Sequence, residues 1–275
     1  MNTRFTDGQI QTARLMLDFL RRGQAEQAVP ALRSMQAELY ASIPDKQRQS
    51  RGITWVLQQI SSLLVVVCDR NLETIRSAGL SLYSQLAQDD LLIGVPVFLM
   101  AEYGKHHPEE IYAFFEGAAG SQNWVVREFA AAGFHKVIAA QREQVQFFLK
   151  RCASSSDPNV RRFSSETLRP VTDLRWINQQ PEYSLTVLSL LFKESHPYPR
   201  TSVGNNLSDL SRRQPELVFS LVEQLVALED ENSTWIAHRA CRNLVKSYPE
   251  RVLDLLGVDE YHYKDRHYFR DRQVK

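Results

Sequence analysis

The chain has few cysteines, and those it has are widely separated. Its three cysteines among 275 residues are Cys68, Cys152 and Cys241, and none belongs to a C-x-x-C pair. A disulfide framework or a cysteine-based zinc site would need cysteines at close, paired spacings. The sequence therefore indicates reduced, buried thiols, and we expect a cytoplasmic protein.

Several familiar catalytic motifs are also missing. The seven histidines show no H-E-x-x-H or other metal-ligand spacing. The sequence has no glycine-rich phosphate loop, no G-x-S-x-G and no dinucleotide-binding fingerprint. We therefore expect neither a metal nor a cofactor.

Long apolar runs are absent as well. The run Leu63–Cys68 is far shorter than the roughly 20 residues that span a bilayer. The N-terminus lacks the basic and apolar regions of a signal peptide. These features predict a soluble protein that does not enter a membrane.

The chain has almost no net charge, but its charged residues are unevenly distributed. The net charge is +1, yet residues 121–213 carry 13 basic and 8 acidic side chains, and residues 214–260 carry 4 and 9. A basic block favours polyanionic partners, because cationic side chains neutralise phosphates. On charge alone, an ordinary set of surface helices with several arginines remains equally consistent.

The segment Ser155–Trp176 lies inside this basic block. Asp157 and Pro158 predict a helix start, since Asp caps free backbone N–H groups and Pro is pre-set for the first turn. The predicted helix ends at Arg169, before Pro170. It contains Arg161, Arg162 and Glu166, and Arg175 and Trp176 follow in the exit loop. This composition favours a surface that meets an anion.

A repeat organises the chain from about residue 108. Glutamates in predicted first turns are spaced 34, 39, 34 and 34 residues apart. They are Glu109, Glu143, Glu182, Glu216 and Glu250. Partner helices lie between them, with Arg127, Arg161, Arg200 and His238 recurring at steps of 34, 39 and 38 residues. Two-helix units at this period predict an all-α, HEAT-like α-solenoid. We expect one repeat domain over residues 1–257, with residues 1–105 helical, clear repeats at 108–257 and an aromatic-basic tail at 258–275.

Three carboxylates follow the arginines of the partner helices. Glu128 comes one residue after Arg127, Glu166 five after Arg161, and Asp209 nine after Arg200. Steps of four residues keep side chains near one helical face, so a twisted stack could bring all three together. The alternative is ordinary ion pairing, which fits Glu166 and Asp209, because arginines lie three or four residues away from each.

Four stretches resemble the HEAT-like-repeat DNA alkylation-repair glycosylases, most closely the AlkC branch. They are NWVVREFA (123–130), PNVRRFSSETLRP (158–170) with Trp176, PRTSVGNNLSDLSRRQPELV (199–218) and TWIAHRACRNLVKSYPERVLDLLG (234–257). With their spacers they cover about half of the chain. The resemblance implies a C-shaped solenoid whose concave, basic face holds duplex DNA and excises N3-alkylated purines without a metal.

The resemblance also implies the roles of individual residues. The predicted catalytic carboxylates are Glu128, Glu166 and Asp209, and Trp176 is the predicted aromatic wall. The residues expected to contact DNA are Arg127, Arg161, Arg162, Arg169, Arg200, Asn205 and Asn206. An N3-alkylated purine is already cationic and leaves readily, while carboxylates can stabilise the positive charge that develops on deoxyribose. Trp176 could offer its π face to that cation, or it could simply close a helix end in the core.

Two hypotheses follow from these observations. The first is a DNA glycosylase that acts, as a monomer, on duplex DNA carrying alkylated bases. The second is a non-catalytic HEAT-type module that binds DNA or a protein. A binding module needs the basic block but has no need for the three carboxylates, and we favour the enzyme largely because of the resemblance.

Overall fold

The helical periodicity of the sequence corresponds to helices throughout the described chain. A computed structural model describes residues 5–48, 52–86 and 90–270. These residues fall into two compact units, divided between Val145 and Gln146.

The first unit is built from helices joined by short loops. Its α-helices are α1 (Asp7–Arg21), α2 (Ala25–Ala41), α3 (Ile53–Val67), α4 (Leu72–Gln85), α5 (Gly94–Gly104), α6 (Tyr112–Ala119) and α7 (Trp124–Ala140), with short 3₁₀ helices at Asp45–Gln47, Leu91–Ile93 and Glu109–Ile111. Helix α5 is buried on nearly all sides, because α3, α4 and α7 pack around it. This burial explains its almost continuously apolar sequence. The division between the units falls inside α8 (Arg142–Ala153).

The second unit continues the helical pattern and ends in two strands. Its elements are α9 (Pro158–Glu166), α10 (Glu182–Leu188), α11 (Pro197–Leu210), α12 (Pro215–Ala227), α13 (Glu231–Ala240), α14 (Pro249–Leu256), β1 (Glu260–Tyr263) and β2 (Arg266–Phe269), with 3₁₀ helices at Thr172–Asn178, Ser189–Leu191 and Leu244–Lys246. The proline-glutamate pairs begin helices as predicted at α10, α12 and α14. The all-α solenoid class is therefore confirmed.

Helix α9 begins as predicted but ends earlier. Asp157 accepts a hydrogen bond from the backbone N–H of Asn159 at 2.8 Å, and Pro158 occupies the first turn. The helix ends at Glu166 rather than at Arg169. Near this end, the Thr167 hydroxyl donates to the carbonyl of Phe163 at 2.9 Å. Such side-chain bonds to the backbone compete with helix propagation, and Pro170 disfavours helical backbone at the residue before it.

The aromatic-basic tail forms a structure that the sequence analysis did not predict. Strands β1 and β2 pair as an antiparallel hairpin, with Tyr261 opposite Tyr268 and Tyr263 opposite Arg266. The turn between them is tight, and Lys264 adopts a positive φ of 56°. Residues 271–275 of the predicted tail lie outside the described residues.

Candidate nucleic-acid interface and active site

Two neighbouring helices of the second unit, α9 and α11, carry most of the predicted site residues. Helix α11 packs against α9 on one side and against α13 on the other. Val160, Val203 and Ile236, one from each helix, are buried. This apolar packing fixes the three helices in register, so that their polar positions lie side by side.

Glu166, at the end of α9, is held by three donors. Its carboxylate lies 3.4 Å from Arg162 Nη2 and 3.0 Å from Arg169 Nη1, and it accepts a 2.6 Å hydrogen bond from the Ser202 hydroxyl. Burial alone would raise the pKa of Glu166, but Arg162, Arg169 and Ser202 together hold that pKa below its ordinary value. Glu166 is therefore an anion at neutral pH, with 12% of its side chain exposed.

Asp209 of α11 shares a cation with Glu166. The guanidinium of Arg169 donates to Asp209 Oδ2 from Nη2 and, at 3.0 Å, from Nε, while its Nη1 contacts Glu166. Burial would lower the pKa of Arg169, but the two carboxylates raise it above its ordinary value. Asp209 also lies 3.6 Å from Arg242 Nη2 and 3.8 Å from Arg212 Nη2. The two carboxylates are therefore brought together around Arg169, in the pattern of an ion-pair network.

Arg239, near the end of α13, and Arg242, two residues after that helix, complete this network, and the sequence analysis left both without a role. Arg242 Nη1 and Arg239 Nε both donate to Asn205 Oδ1, at 2.7 and 2.9 Å. Arg242 Nε also donates to the Ser208 hydroxyl at 3.0 Å. The sequence held a signal that could have placed these arginines in the site. His238 occupies the repeat position of Arg200, and Arg239 and Arg242 follow it by one and four residues.

Aromatic rings support several of these arginines. The guanidinium carbon of Arg162 lies 5.0 Å from the centre of the Tyr198 ring, and that of Arg200 lies 4.5 Å from the Trp235 ring. Arg200 Nη1 also donates to Asn232 Oδ1 at 2.5 Å. Cation–π contacts of this kind restrict the orientation of the guanidinium. Tyr198 and Trp235 were not among the predicted site residues.

Arg127 and Arg161 occupy equivalent positions and make equivalent contacts. In the first unit, Arg127 Nη1 donates to the carbonyls of Ser121 and Gln122 at 2.7 and 2.9 Å. In the second unit, Arg161 Nη1 donates to the carbonyls six and five residues before it, both at 3.0 Å. Arg161 also forms a bidentate pair with Glu194, at 2.6 and 3.0 Å. These contacts give both arginines a structural role at the start of their helices, and their predicted DNA contacts stay predictions.

Asn206 is placed differently from its neighbour Asn205. It is only 1% exposed, and its Nδ2 donates to the carbonyl of Ser165 at 2.9 Å, which ties α11 to α9. Its Oδ1 is buried without a hydrogen-bond partner among the described residues. Asn206 was predicted to contact DNA. In this conformation it is buried between α11 and α9 and does not reach the protein surface.

Trp176 lies in the 3₁₀ helix that follows α9. Its ring meets that of Tyr183 edge to face, with centroids 5.0 Å apart, and the side chain is half-buried. Part of the side chain is packed and part remains accessible, and the role of Trp176 as an aromatic wall stays a prediction.

Glu128 belongs to the first unit, one turn after the start of α7. It is partly buried, and Trp124, one turn before it on the same helix, is 64% exposed. Its alignment with Glu166 and Asp209 stays a prediction. The exposed Trp124 is a further aromatic that the sequence analysis did not assign to the site.

Two other features bear on the chemistry of the described residues. Within residues 5–48, 52–86 and 90–270, no group of three or more His, Cys, Asp or Glu side chains is arranged to hold a metal ion. No helix in the same ranges is both long and apolar enough to cross a bilayer.

No protein-family model matches the chain. Among curated proteins, it is similar to the uncharacterized protein YhaZ of Bacillus subtilis (strain 168), with 28% identity over 166 residues. This match covers 58% of the chain and 43% of YhaZ, so it spans less than half of that relative's length.

Solved structures with a similar fold come from two bacteria. Pseudomonas fluorescens alkylpurine DNA glycosylase AlkC, bound to DNA containing an abasic site analog, matches with a TM-score of 0.58 and 19% identity, over 91% of this chain and 67% of that one. AlkD2 from Streptococcus mutans matches with a TM-score of 0.55 and 21% identity, over 77% of this chain and 98% of that one. At these identities the likeness shows the fold.

Proposed function

We propose that this chain, which has the HEAT-like repeat fold of the AlkC/AlkD type, is a DNA repair glycosylase that releases N-alkylated purines from duplex DNA. The observation that carries the proposal is the pairing of Glu166 and Asp209 around Arg169. Fold alone would not be sufficient, because one fold hosts many functions.

The charge of the network suits both DNA and the reaction. Arg162, Arg169 and Arg242 surround Glu166 and Asp209, which leaves one net positive charge among these five side chains. A positive surface attracts the phosphate backbone, while the negative charge of the carboxylates can stabilise a cation formed at the sugar. Arg169 is 30% exposed, so a DNA phosphate can compete with Asp209 for its guanidinium.

The proposed reaction is hydrolysis of the N-glycosidic bond. The bond between the deoxyribose carbon and the alkylated purine breaks, and the purine leaves with the electron pair, which neutralises its positive charge. Positive charge develops on the sugar, where a carboxylate stabilises it and orients the attacking water. The water oxygen bonds to the sugar carbon and its proton passes to solvent. The lowered pKa of Glu166 suits this electrostatic role better than proton donation.

Several residues keep their predicted roles within this proposal. Glu128 is the third proposed carboxylate, and Trp176 is proposed to meet the base or the sugar with its accessible part. Asn205 is proposed to line the DNA surface directly, whereas Arg162, expected there from the sequence, is only 7% exposed and is proposed to hold Glu166. The proposed protein is a cytoplasmic monomer that acts without a metal or another cofactor.

The test is release of free base by the purified protein. Duplex DNA treated with a methylating agent should yield methylated purine and abasic sites, whereas untreated duplex should yield neither. A protein that binds both duplexes and releases no base would contradict the enzyme.

That result would favour the alternative, a non-catalytic HEAT-type module for DNA or a protein. One observation supports this second candidate. Each carboxylate oxygen of Glu166 and Asp209 is already in contact with a donor from the chain, as in structural ion-pair networks.

A further inference from the structure

The C-terminal hairpin is anchored firmly on the second unit. The Tyr261 side chain is fully buried, its hydroxyl donates to the carbonyl of His238 at 2.7 Å, and its ring stacks on the His238 imidazole at 4.2 Å. A buried and hydrogen-bonded tyrosine fixes both the position and the orientation of β1. The hairpin is therefore a built part of this unit.

The same strand reaches the network of Glu166 and Asp209. The Tyr263 hydroxyl accepts a hydrogen bond from Arg242 Nη1 at 3.4 Å, and the guanidinium of Arg242 lies 5.7 Å from the centre of the Tyr263 ring. Arg242 in turn lies 3.6 Å from Asp209. Only one side chain thus separates the end of β1 from a proposed catalytic carboxylate.

A small open cleft lies at the hairpin turn. It has a volume of about 320 Å³ and is lined by Lys246, Tyr263, Lys264, Asp265 and Arg266. Its lining holds three cations and one carboxylate, and all four charged side chains belong to exposed residues. Lys264 Nζ lies 5.8 Å from the centre of the Tyr263 ring. Among the described residues, neither Lys264 nor Arg266 forms an ion pair with a carboxylate.

We propose that this cleft binds a backbone phosphate of duplex DNA next to the carboxylate pair, an inference that rests on the proposed function. Lysine and arginine donors suit a phosphodiester, which offers charged oxygens in several directions. The short path through Tyr263 and Arg242 to Asp209 makes DNA the preferred partner over an acidic protein. A duplex whose damaged nucleotide lies at Asp209 has phosphates on both sides of that nucleotide, and the hairpin turn holds one of them.

The test compares two variants that each lose three positive charges. The first, K246Q/K264Q/R266Q, removes the cations of the cleft. The matched control, R14Q/R21Q/R22Q, removes three exposed arginines at or just after α1 in the first unit. The dissociation constant of each protein for methylated duplex is measured over a range of salt concentrations, after circular dichroism has shown wild-type helix content.

The cleft variant should bind more weakly, and its log–log salt slope should fall by about 1 for each lost phosphate contact. The control should retain a slope close to that of the wild type. Equal losses in both variants would show a general charge effect and overturn the proposal, as would wild-type affinity of the cleft variant.

This measurement is independent of turnover. If the wild-type protein binds DNA but releases no base, the glycosylase proposal fails, while the comparison of slopes still decides whether the cleft holds a phosphate. A single variant, Lys264→Gln, keeps the test valid if the triple variant folds poorly.

Discussion

Helices α7 and α9 each have an arginine at the same repeat position, and it bonds to the backbone just before the helix. The two helices differ in the surroundings of the carboxylate that follows, Glu128 on α7 and Glu166 on α9. Arg127 and Arg161 each donate to the carbonyls six and five residues before them. This recurrence shows that the arginine position belongs to the repeat itself. A basic residue at a repeat position therefore cannot, by itself, be assigned to a ligand.

The two regions differ in the side chains that surround the carboxylate. On α7, the positions three and four residues from Glu128 are Trp, Val and Ala residues. On α9, Glu166 has Arg162 one turn before it and Arg169 three residues after it, and both contact it. Along its own helix, Glu128 therefore has apolar residues at these positions, whereas Glu166 has arginines at two of the corresponding positions.

Removing the carboxylates is expected to produce the largest effect. Glu166→Gln and Asp209→Asn each remove one negative charge with little change of shape. A carboxylate about 4 Å from a developing cation contributes up to about 4 kcal/mol at an effective dielectric near 20. Because Arg169 partly neutralises both carboxylates, we expect base release to slow by about 10²- to 10³-fold. Single-turnover base release measures the change.

DNA binding in these variants should be unchanged or tighter, because an acid beside phosphates is lost. Glu128→Gln is the matched variant in the first unit. A loss of similar size there would show that the surroundings of the three carboxylates do not decide their contribution. Wild-type rates in both Glu166→Gln and Asp209→Asn would remove these residues from the mechanism.

Replacing Arg161 should lower the stability of the protein more than replacing Arg127, its equivalent in the repeat. Arg161→Ala leaves Glu194, whose side chain is only 4% exposed, as a buried charge without its bidentate partner, and we expect the free energy of unfolding to fall by about 3 kcal/mol. Arg127→Ala loses its two hydrogen bonds to carbonyls, and about 1 to 2 kcal/mol is expected. Urea denaturation of both variants measures the difference. Equal losses would show that the pair with Glu194 adds nothing to the shared contacts.

Acid should lower the stability of the second unit through the carboxylate of Glu194. Burial would raise the pKa of Glu194, but Arg161 and the backbone N–H of His196 hold it below its ordinary value. A carboxyl with a depressed folded-state pKa contributes stability above its unfolded pKa, and that contribution is lost as pH falls through the folded value. The free energy of unfolding should therefore decline as pH falls below about 4.5, the ordinary value. Glu194→Gln should flatten this decline, whereas Glu223→Gln, an exposed control on α12, should not.

The repeat frame was predictable because it depends on local signals. Pro and Glu mark helix starts wherever they recur, and Asp157 caps α9 through its own backbone neighbours. The end of α9 was less predictable, because hydroxyls such as that of Thr167 can bond to the helix backbone or point away from it. The prediction of ion pairs at Glu166 was possible for the same local reason, since its arginines lie three and four residues away.

The rest of the site depends on contacts between distant parts of the chain. Arg242, which follows α13, meets Asp209 because α13 packs against α11. Asn206 was expected at the DNA surface, but the side of α11 that it occupies is covered. The hairpin was missed because its strands have four residues each and its turn lacks the Asn-Gly or Asp-Gly signal of the commonest hairpins.

The smallest expected effect concerns Tyr263, which links the hairpin to Arg242 and through it to Asp209. Tyr263→Phe removes a hydroxyl whose bond to Arg242 is long, at 3.4 Å, and leaves the ring beneath the guanidinium. Arg242 also keeps its bonds to Asn205 and Ser208, so base release should slow by no more than about 3-fold and the free energy of unfolding should fall by about 0.5 kcal/mol. Tyr261→Phe, which loses a 2.7 Å bond to the carbonyl of His238 in a buried position, should cost about 1 to 2 kcal/mol of stability. Thermal unfolding and single-turnover base release are measured for both variants. They separate the anchoring of the hairpin by Tyr261 from the positioning of Arg242 by Tyr263. If Tyr263→Phe slowed base release as much as Asp209→Asn while leaving stability intact, the tyrosine hydroxyl would belong to the reaction itself and not to the positioning of Arg242.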